Sequence, residues 1–289
     1  MSLQIRAQDI GDYLSKYTET NGALYLQPFA DAFSADFNSG LFHNARIKKK
    51  GFHLYLGVVS QVAIISDDAK YFMGYTESDI YEPQGPYKVP TILGPVDEVT
   101  VPIDGSGGLL TYTFPGGFNV DLMPMAVPQL TIGSLWGTEV TGRFITYNVP
   151  DVGKIDMWGW GIRHSIDQYF NKMPVNIAVG FYRQCFKLSD YIDTKALMAN
   201  VQASYRASIF TFYTGVGYEK SNVKVEYMYS GNDDEPGDEK IAFDLDAANV
   251  VRFTIGVTFN LGPVKLFGDY NVAKQNTFAV GLGIGINER

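Results

Sequence analysis

From residue 276 to 287 every second side chain is apolar. Phe278, Val280, Leu282, Ile284 and Ile286 alternate with Thr277, Ala279, Gly281, Gly283 and Gly285. Successive residues of an extended strand point to opposite faces, so this segment has one uniformly apolar face and one face of small residues. The pattern recurs in 248–260, where Val251, Phe253, Ile255, Val257 and Phe259 alternate with Arg252, Thr254, Gly256, Thr258 and Asn260. It recurs again in 174–185, with Val175, Ile177, Val179 and Phe181 against Asn176, Ala178, Gly180 and Tyr182. The apolar face needs either a protein core or hydrocarbon.

Length and spacing favour hydrocarbon. Ten candidate strands can be drawn: 51–65, 127–134, 138–148, 155–165, 174–185, 195–205, 207–229, 248–260, 263–272 and 276–287. Most run to about ten residues or more, which suits a tilted strand crossing a bilayer. Soluble strands average about 5–6 residues. The links at 134–138, 165–174, 205–207 and 260–263 are short, whereas 65–127 and 229–248 are long. Short turns on one side and long loops on the other are the habit of outer-membrane barrels, as is an even strand count. The expected fold is therefore all-β, an antiparallel transmembrane β-barrel of ten to twelve strands with a short N-terminal helical plug. Ten strands require 207–229 to be one long strand. Twelve would need a further hairpin, with 109–114 and 118–123 around Pro115-Gly116-Gly117 as the candidate.

The alternative classes fare less well. With 31 acidic against 23 basic residues the net charge is −8, which disfavours a nucleic-acid binder. No apolar run reaches the roughly 18 residues of a membrane helix. The single cysteine, Cys185, excludes an internal disulfide framework and a cysteine zinc site. Gly281-x-Gly283-x-Gly285 lies inside an alternating strand with no helix behind it, so it reads as small residues on a crowded face rather than a phosphate loop. His164 and Ser165 are adjacent in a strand and face opposite ways, so they make a poor base and nucleophile. His43 and His53 show no metal spacing. No catalytic constellation, resident metal or cofactor is expected.

Residues 1–41 read as a helix and plug, and 42–289 as the barrel. In 9–17, Ile10, Tyr13, Leu14 and Tyr17 fall on one helical face behind Asp9. The segment 23–41 has no period of two and surrounds Pro28, so it reads as irregular or briefly helical. Its Leu24, Leu26, Phe29, Phe33 and Phe37 could close the lumen. Eight of the thirteen prolines lie from Pro83 to Pro128, so 66–126 reads as a large external loop. Arg143, Arg163, Arg252, Lys265 and Asp269 share the face opposite the apolar one and are the lumen candidates. A charge on the outer face near the bilayer centre would cost about 2–4 kcal/mol. Their bland role is an internal charge network with Glu139, Asp156 or Asp269 as acceptors; the alternative is coordination of a substrate. Trp136, Trp158, Trp160, Tyr205, Tyr218 and Tyr270 are candidates for interfacial belts. The loop Asn232-Asp233-Asp234-Glu235-Pro236-Gly237-Asp238-Glu239 is rich in oxygen ligands. It reads as a solvated acidic loop, with Ca²⁺ as a second reading, and it lacks EF-hand spacing.

The run YLQPFADAFSADFNSGLF from Tyr25 to Phe42, together with PQLTIG (128–133), GTE (137–139), WGWGIRHS (158–165) and DYNV (269–272), resembles a Bacteroidetes-type family of outer-membrane barrels of unassigned function. The layout is more distantly similar to FadL-type long-chain fatty-acid transporters, in which an N-terminal plug sits in a barrel. The resemblance implies a location in the bacterial outer membrane, with its lipid as partner. The plug residues Leu24, Leu26, Phe29, Phe33 and Phe37, which could offer an apolar path, point to passive transport or binding of small molecules, hydrophobic ones among them. A non-transporting surface-interaction barrel and a soluble secreted all-β binding protein are the alternatives.

Overall fold

The computed structural model describes residues 14, 16–77, 81–149, 153–171, 173–189, 191–229 and 239–286. The expected helix at 9–17 and the acidic loop at 232–239 lie largely outside these residues.

A helix, α1 (Glu19–Phe37), leads into an extended stretch and then fifteen strands: β1 (Lys50–Ile64), β2 (Tyr71–Gly74), β3 (Tyr87–Pro90), β4 (Val99–Pro102), β5 (Thr111–Phe114), β6 (Leu122–Leu135), β7 (Thr138–Val149), β8 (Gly153–Ser165), β9 (Asn176–Leu188), β10 (Ile192–Ala207), β11 (Phe210–Tyr229), β12 (Glu239–Asp246), β13 (Val251–Leu261), β14 (Val264–Val272) and β15 (Thr277–Ile286). Ten of them form a closed antiparallel ring in the order β1, β6, β7, β8, β9, β10, β11, β13, β14, β15, with β15 pairing back to β1. Each of the ten expected strands has its counterpart in this ring. Closure removes the exposed sheet edges that a strand of this composition would otherwise present.

The apolar rows point outward. Phe278, Val280, Leu282, Ile284 and Ile286 are all exposed, while Thr277 and Ala279 between them are buried. The same holds for Val251, Phe253 and Ile255 against Arg252 and Thr254. This is a soluble protein turned inside out, with polar and charged side chains inside and leucine, valine and phenylalanine outside. Trp136 and Tyr205 project near the short-turn end, Tyr218 and Tyr270 near the long-loop end, and Trp158 and Trp160 along β8.

The long β11 is a single strand, as ten strands required. Phe210–Tyr218 pairs with β13, whereas Asn222–Tyr229 pairs with β12 and rises beyond the ring. The hairpin expected from 109–114 and 118–123 does not form. Thr111–Phe114 pairs backwards with Val99–Pro102 instead, because Pro115 and the two glycines feed an irregular stretch that docks on Ile92–Pro95 through backbone bonds.

Of the two readings of 23–41, irregular or briefly helical, the helical one holds and extends further, because 19–37 is one helix that continues through Pro28. Pro28 cannot donate to the carbonyl of Leu24, but Leu24 is itself 41% exposed, so water can serve that group. The period of two is absent there because the segment is helical. Its amphipathic pattern is weak because a barrel surrounds it: Tyr25, Leu26, Ala30, Ala32, Ala35 and Phe37 are buried on several sides of the helix.

The upper half of α1 and the 65–121 loop share one apolar core, which includes Tyr17, Tyr25, Leu26, Phe72, Val89, Ile92, Phe114, Tyr227 and Phe243. Polar bonds fix it. Tyr25 Oη donates to Gly116 O at 2.8 Å, and Ile92 N donates to Tyr25 O at 3.1 Å. Tyr227 Oη donates to Tyr17 O at 3.0 Å. The loop is thus a folded cap on the long-loop mouth.

Candidate functional site

The lumen holds the buried charges of the wall, Glu139, Arg143, Arg163, Glu219, Arg252, Lys265 and Asp269, and the chain itself runs through it. Below α1, residues 38–49 pass down the inside of the ring and turn into β1 at the short-turn end. Gly40 makes the first turn with φ +61. An added Cβ there would lie 2.4 Å from Val59 Cγ1, so both the conformation and the close approach require glycine. The inner face narrows for the same reason at Gly281, where a Cβ would sit 2.1 Å from the Phe267 ring.

A helix end leaves its last carbonyls without intrahelical partners and carries partial negative charge. Here the barrel wall supplies the missing donors. Arg252 Nη2 donates to Ala35 O at 2.8 Å, and Arg143 reaches Phe37 O at 3.4 Å, Ser39 O at 3.1 Å and Gly40 O at 2.6 Å. Gln184 also donates to Phe37 O. Local backbone bonds serve the others, Asn38 N to Ser34 O and Ser39 N to Asp36 O.

Each buried arginine has its own counterpart. Arg252 donates to both oxygens of Glu219, at 3.2 and 3.1 Å. Arg163 donates to Glu139 and, at 2.8 Å, to Gln202, and it also holds Asn44 O. His53 Nε2 lies 2.8 Å from the other oxygen of Glu139. Arg143 has a neutral partner in Gln129, at 2.9 Å. Lys265 Nζ donates to Asn260 Oδ1 at 2.7 Å, and Asp269 accepts from Tyr213 at 3.0 Å and Asn271 at 2.6 Å. All five lumen candidates are buried. They do not converge on one point. Arg143 and Arg252 grip the end of α1, Arg163 holds the descending strand, Lys265 lies at the short-turn end, and Asp269 is bonded within the wall.

The rest of the lumen is packed. Leu41 and Phe42 lie among Tyr55, Tyr182, Tyr213 and Phe267. His43 stacks on Phe267 with ring centroids 5.2 Å apart. Beside Arg143, Tyr182 and Gln184 a cavity of about 10 Å³ remains, room for no more than one water. The proposed plug residues part company. Leu24 faces solvent and Leu26 enters the cap, while Phe29, Phe33 and Phe37 form a ladder with centroid spacings of 5.6 and 4.8 Å. Phe186 meets Phe33 at 4.6 Å. At the mouth, burial raises the Asp31 carboxyl above its usual range, opposed by bonds from Ala248 N and Gln27.

Among the acceptors expected for the arginines, Glu139 serves Arg163. Asp156 is outside the network, bonded to Thr146 at 2.6 Å and Lys154 at 2.7 Å near the long-loop end. Glu219 was missed. It follows Tyr213, Gly215 and Gly217 on the inner face of β11, so continuing that alternation through 219 places it inward, though not beside Arg252. His164 and Ser165 do face apart: His164 bonds to Thr138 and Tyr169, and Ser165 to Asp167.

The chain belongs to a family of unknown function (DUF6588), whose model matches residues 1–286. No curated protein matches the sequence. Among solved structures it is similar to the outer membrane protease OmpT from Escherichia coli, at 7% identity and a TM-score of 0.36, covering 83% of this chain and 97% of that one. It is also similar to the outer membrane protein OmpT of Vibrio cholerae in its trimer form, at 9% identity and a TM-score of 0.27, covering 82% and 100%. A Rhodopseudomonas blastica porin mutant matches at 9% identity and a TM-score of 0.18, covering 81% and 100%. These likenesses are too distant to carry a function across, and none of the three is described as a FadL-type transporter.

Proposed function

We propose that this barrel sits in the bacterial outer membrane and works in its plugged form, binding at its folded long-loop cap rather than conducting through its lumen. The carrying observation is the latch, in which Arg143 and Arg252 bond to four carbonyls of the plug, Ala35 O, Phe37 O, Ser39 O and Gly40 O. The outer belt of exposed leucine, valine and phenylalanine supports the membrane setting, since soluble surfaces rarely carry contiguous apolar patches above a few hundred Å². Reconstituted into planar bilayers, the wild type is expected to show no conductance above lipid leak. Arg143→Ala/Arg252→Ala is expected to open transient conductance. A wild type that conducts ions steadily, or that makes liposomes permeable to small solutes, overturns the proposal.

A second reading, passage of small hydrophobic molecules, draws on the ladder of Phe29, Phe33, Phe37 and Phe186. Phe29 and Phe33 are only partly buried there, and an apolar solute could slide along such a face if α1 shifted. Uptake of a small apolar dye into protein-loaded liposomes, abolished by tethering α1 to the wall, would favour it.

A further inference from the structure

The lower mouth of the lumen holds a concentration of positive charge that the latch does not use. A shallow cup, open to solvent and with only about 20 Å³ of enclosed room, is lined by Arg46, Ser204, Arg206, Thr258, Asn260 and Lys265 among others. Three of these are cations, and no carboxylate lines the cup among the described residues. Arg206 uses only Nε, on Ser208 O at 3.1 Å, and the Arg46 guanidinium bonds to no described residue. Lys48, Lys49 and Lys50 follow Arg46 at the same end. The carboxylates near this mouth are engaged elsewhere. Asp167 is held by Ser165, Asn176 and Ile177 N, and Glu139 by Arg163 and His53. In a chain of net charge −8, two arginines lining one cup with no acidic side chain in the lining are out of character.

Guanidinium pairs favour planar or tetrahedral oxyanions, which they bind through parallel N–H donors. The floor is rigid: Thr258 Oγ1 donates to His43 O, Ala45 N donates to Ser204 Oγ at 2.9 Å, and Asn260 Nδ2 bridges Ile209 O and Thr211 Oγ1. A fixed floor lowers the ordering cost of binding. We infer that the short-turn mouth is an oxyanion site that takes a phosphate group at the open rim of the cup, beside Arg46 and Arg206. The inference stands apart from the function proposed above, since the cup would bind phosphate in a conducting barrel as well.

Two sources could bring that group, a soluble phosphate or a phospholipid headgroup. The full chain in zwitterionic detergent is titrated calorimetrically with inorganic phosphate, with chloride as the reference. In parallel, nanodiscs of mixed phosphatidylglycerol and phosphatidylcholine are analysed for lipid retained by the protein. Saturable phosphate binding, weakened at least tenfold in Arg46→Gln/Arg206→Gln and less than twofold in Lys48→Gln/Lys49→Gln, supports a soluble ligand. Silence with free phosphate, but retention of phosphatidylglycerol lost in the same double variant, supports a headgroup. Arg206→Gln alone replaces the double variant if that one fails to insert. No binding in either arm, or binding unchanged by loss of the arginines, overturns the inference.

Discussion

Arg252 is fully buried and holds two kinds of partner at once, the Glu219 carboxylate and the Ala35 carbonyl. Removing a charge from water costs several kcal/mol, and only complete pairing offsets it. The partner therefore matters more than the pair. Glu219→Gln, which leaves the guanidinium uncompensated, is expected to destabilise the barrel by about 3–5 kcal/mol. Arg252→Met/Glu219→Leu, which removes both charges, is expected to cost far less. Urea unfolding in detergent micelles, followed by tryptophan fluorescence, measures both. Equal losses in the two variants would mean that Arg252 acts chiefly on the plug carbonyl. From the sequence alone, Arg252 on the polar face of its strand was legible as an inward charge. Its partner was not, because Glu219 stands 33 positions away and meets it only once β11 and β13 pair.

At the scale of the element, α1 and its exit turn decide whether the lumen is open. The helix contributes carbonyls, the wall contributes donors, and Gly40 lets the chain turn between them. Alanine at 40 would have to hold φ +61 and displace Val59 Cγ1. Gly40→Ala is expected to weaken the plug by about 1–3 kcal/mol, and Gly40→Ala/Val59→Ala to recover part of that by relieving the clash. Hydrogen exchange of the α1 amides reports the change, while strand amides such as those of β15 should stay protected. The strands themselves were readable because an alternating pattern has one physical meaning, two unlike environments on two faces. The helix was legible only as a short plug and not at its full length, since a helix enclosed by a barrel buries residues all round and loses the one-sided stripe that betrays a surface helix.

For the whole molecule, the ring fixes which way each strand faces, and α1 with the 65–121 loop packs one core at the long-loop mouth. The outer row of β15 gives the direct test of what surrounds the ring. Leu282→Lys is expected to cost about 2–4 kcal/mol if that row meets hydrocarbon, and almost nothing if it meets water. Folding yield and urea midpoint in liposomes measure the difference. An unchanged midpoint would argue against a bilayer around this face.

The sequence by itself determined an even-numbered ring of ten to twelve strands, the outward apolar rows and the inward placement of the arginines. These follow from a period of two and from loop lengths, both local properties of the chain. Only the tertiary structure decided how α1 and the stretch after it are held inside the ring. That outcome depends on Ala35, Phe37 and Gly40 presenting carbonyls to Arg143 and Arg252 across sequence separations of more than a hundred residues, a meeting that no local pattern encodes.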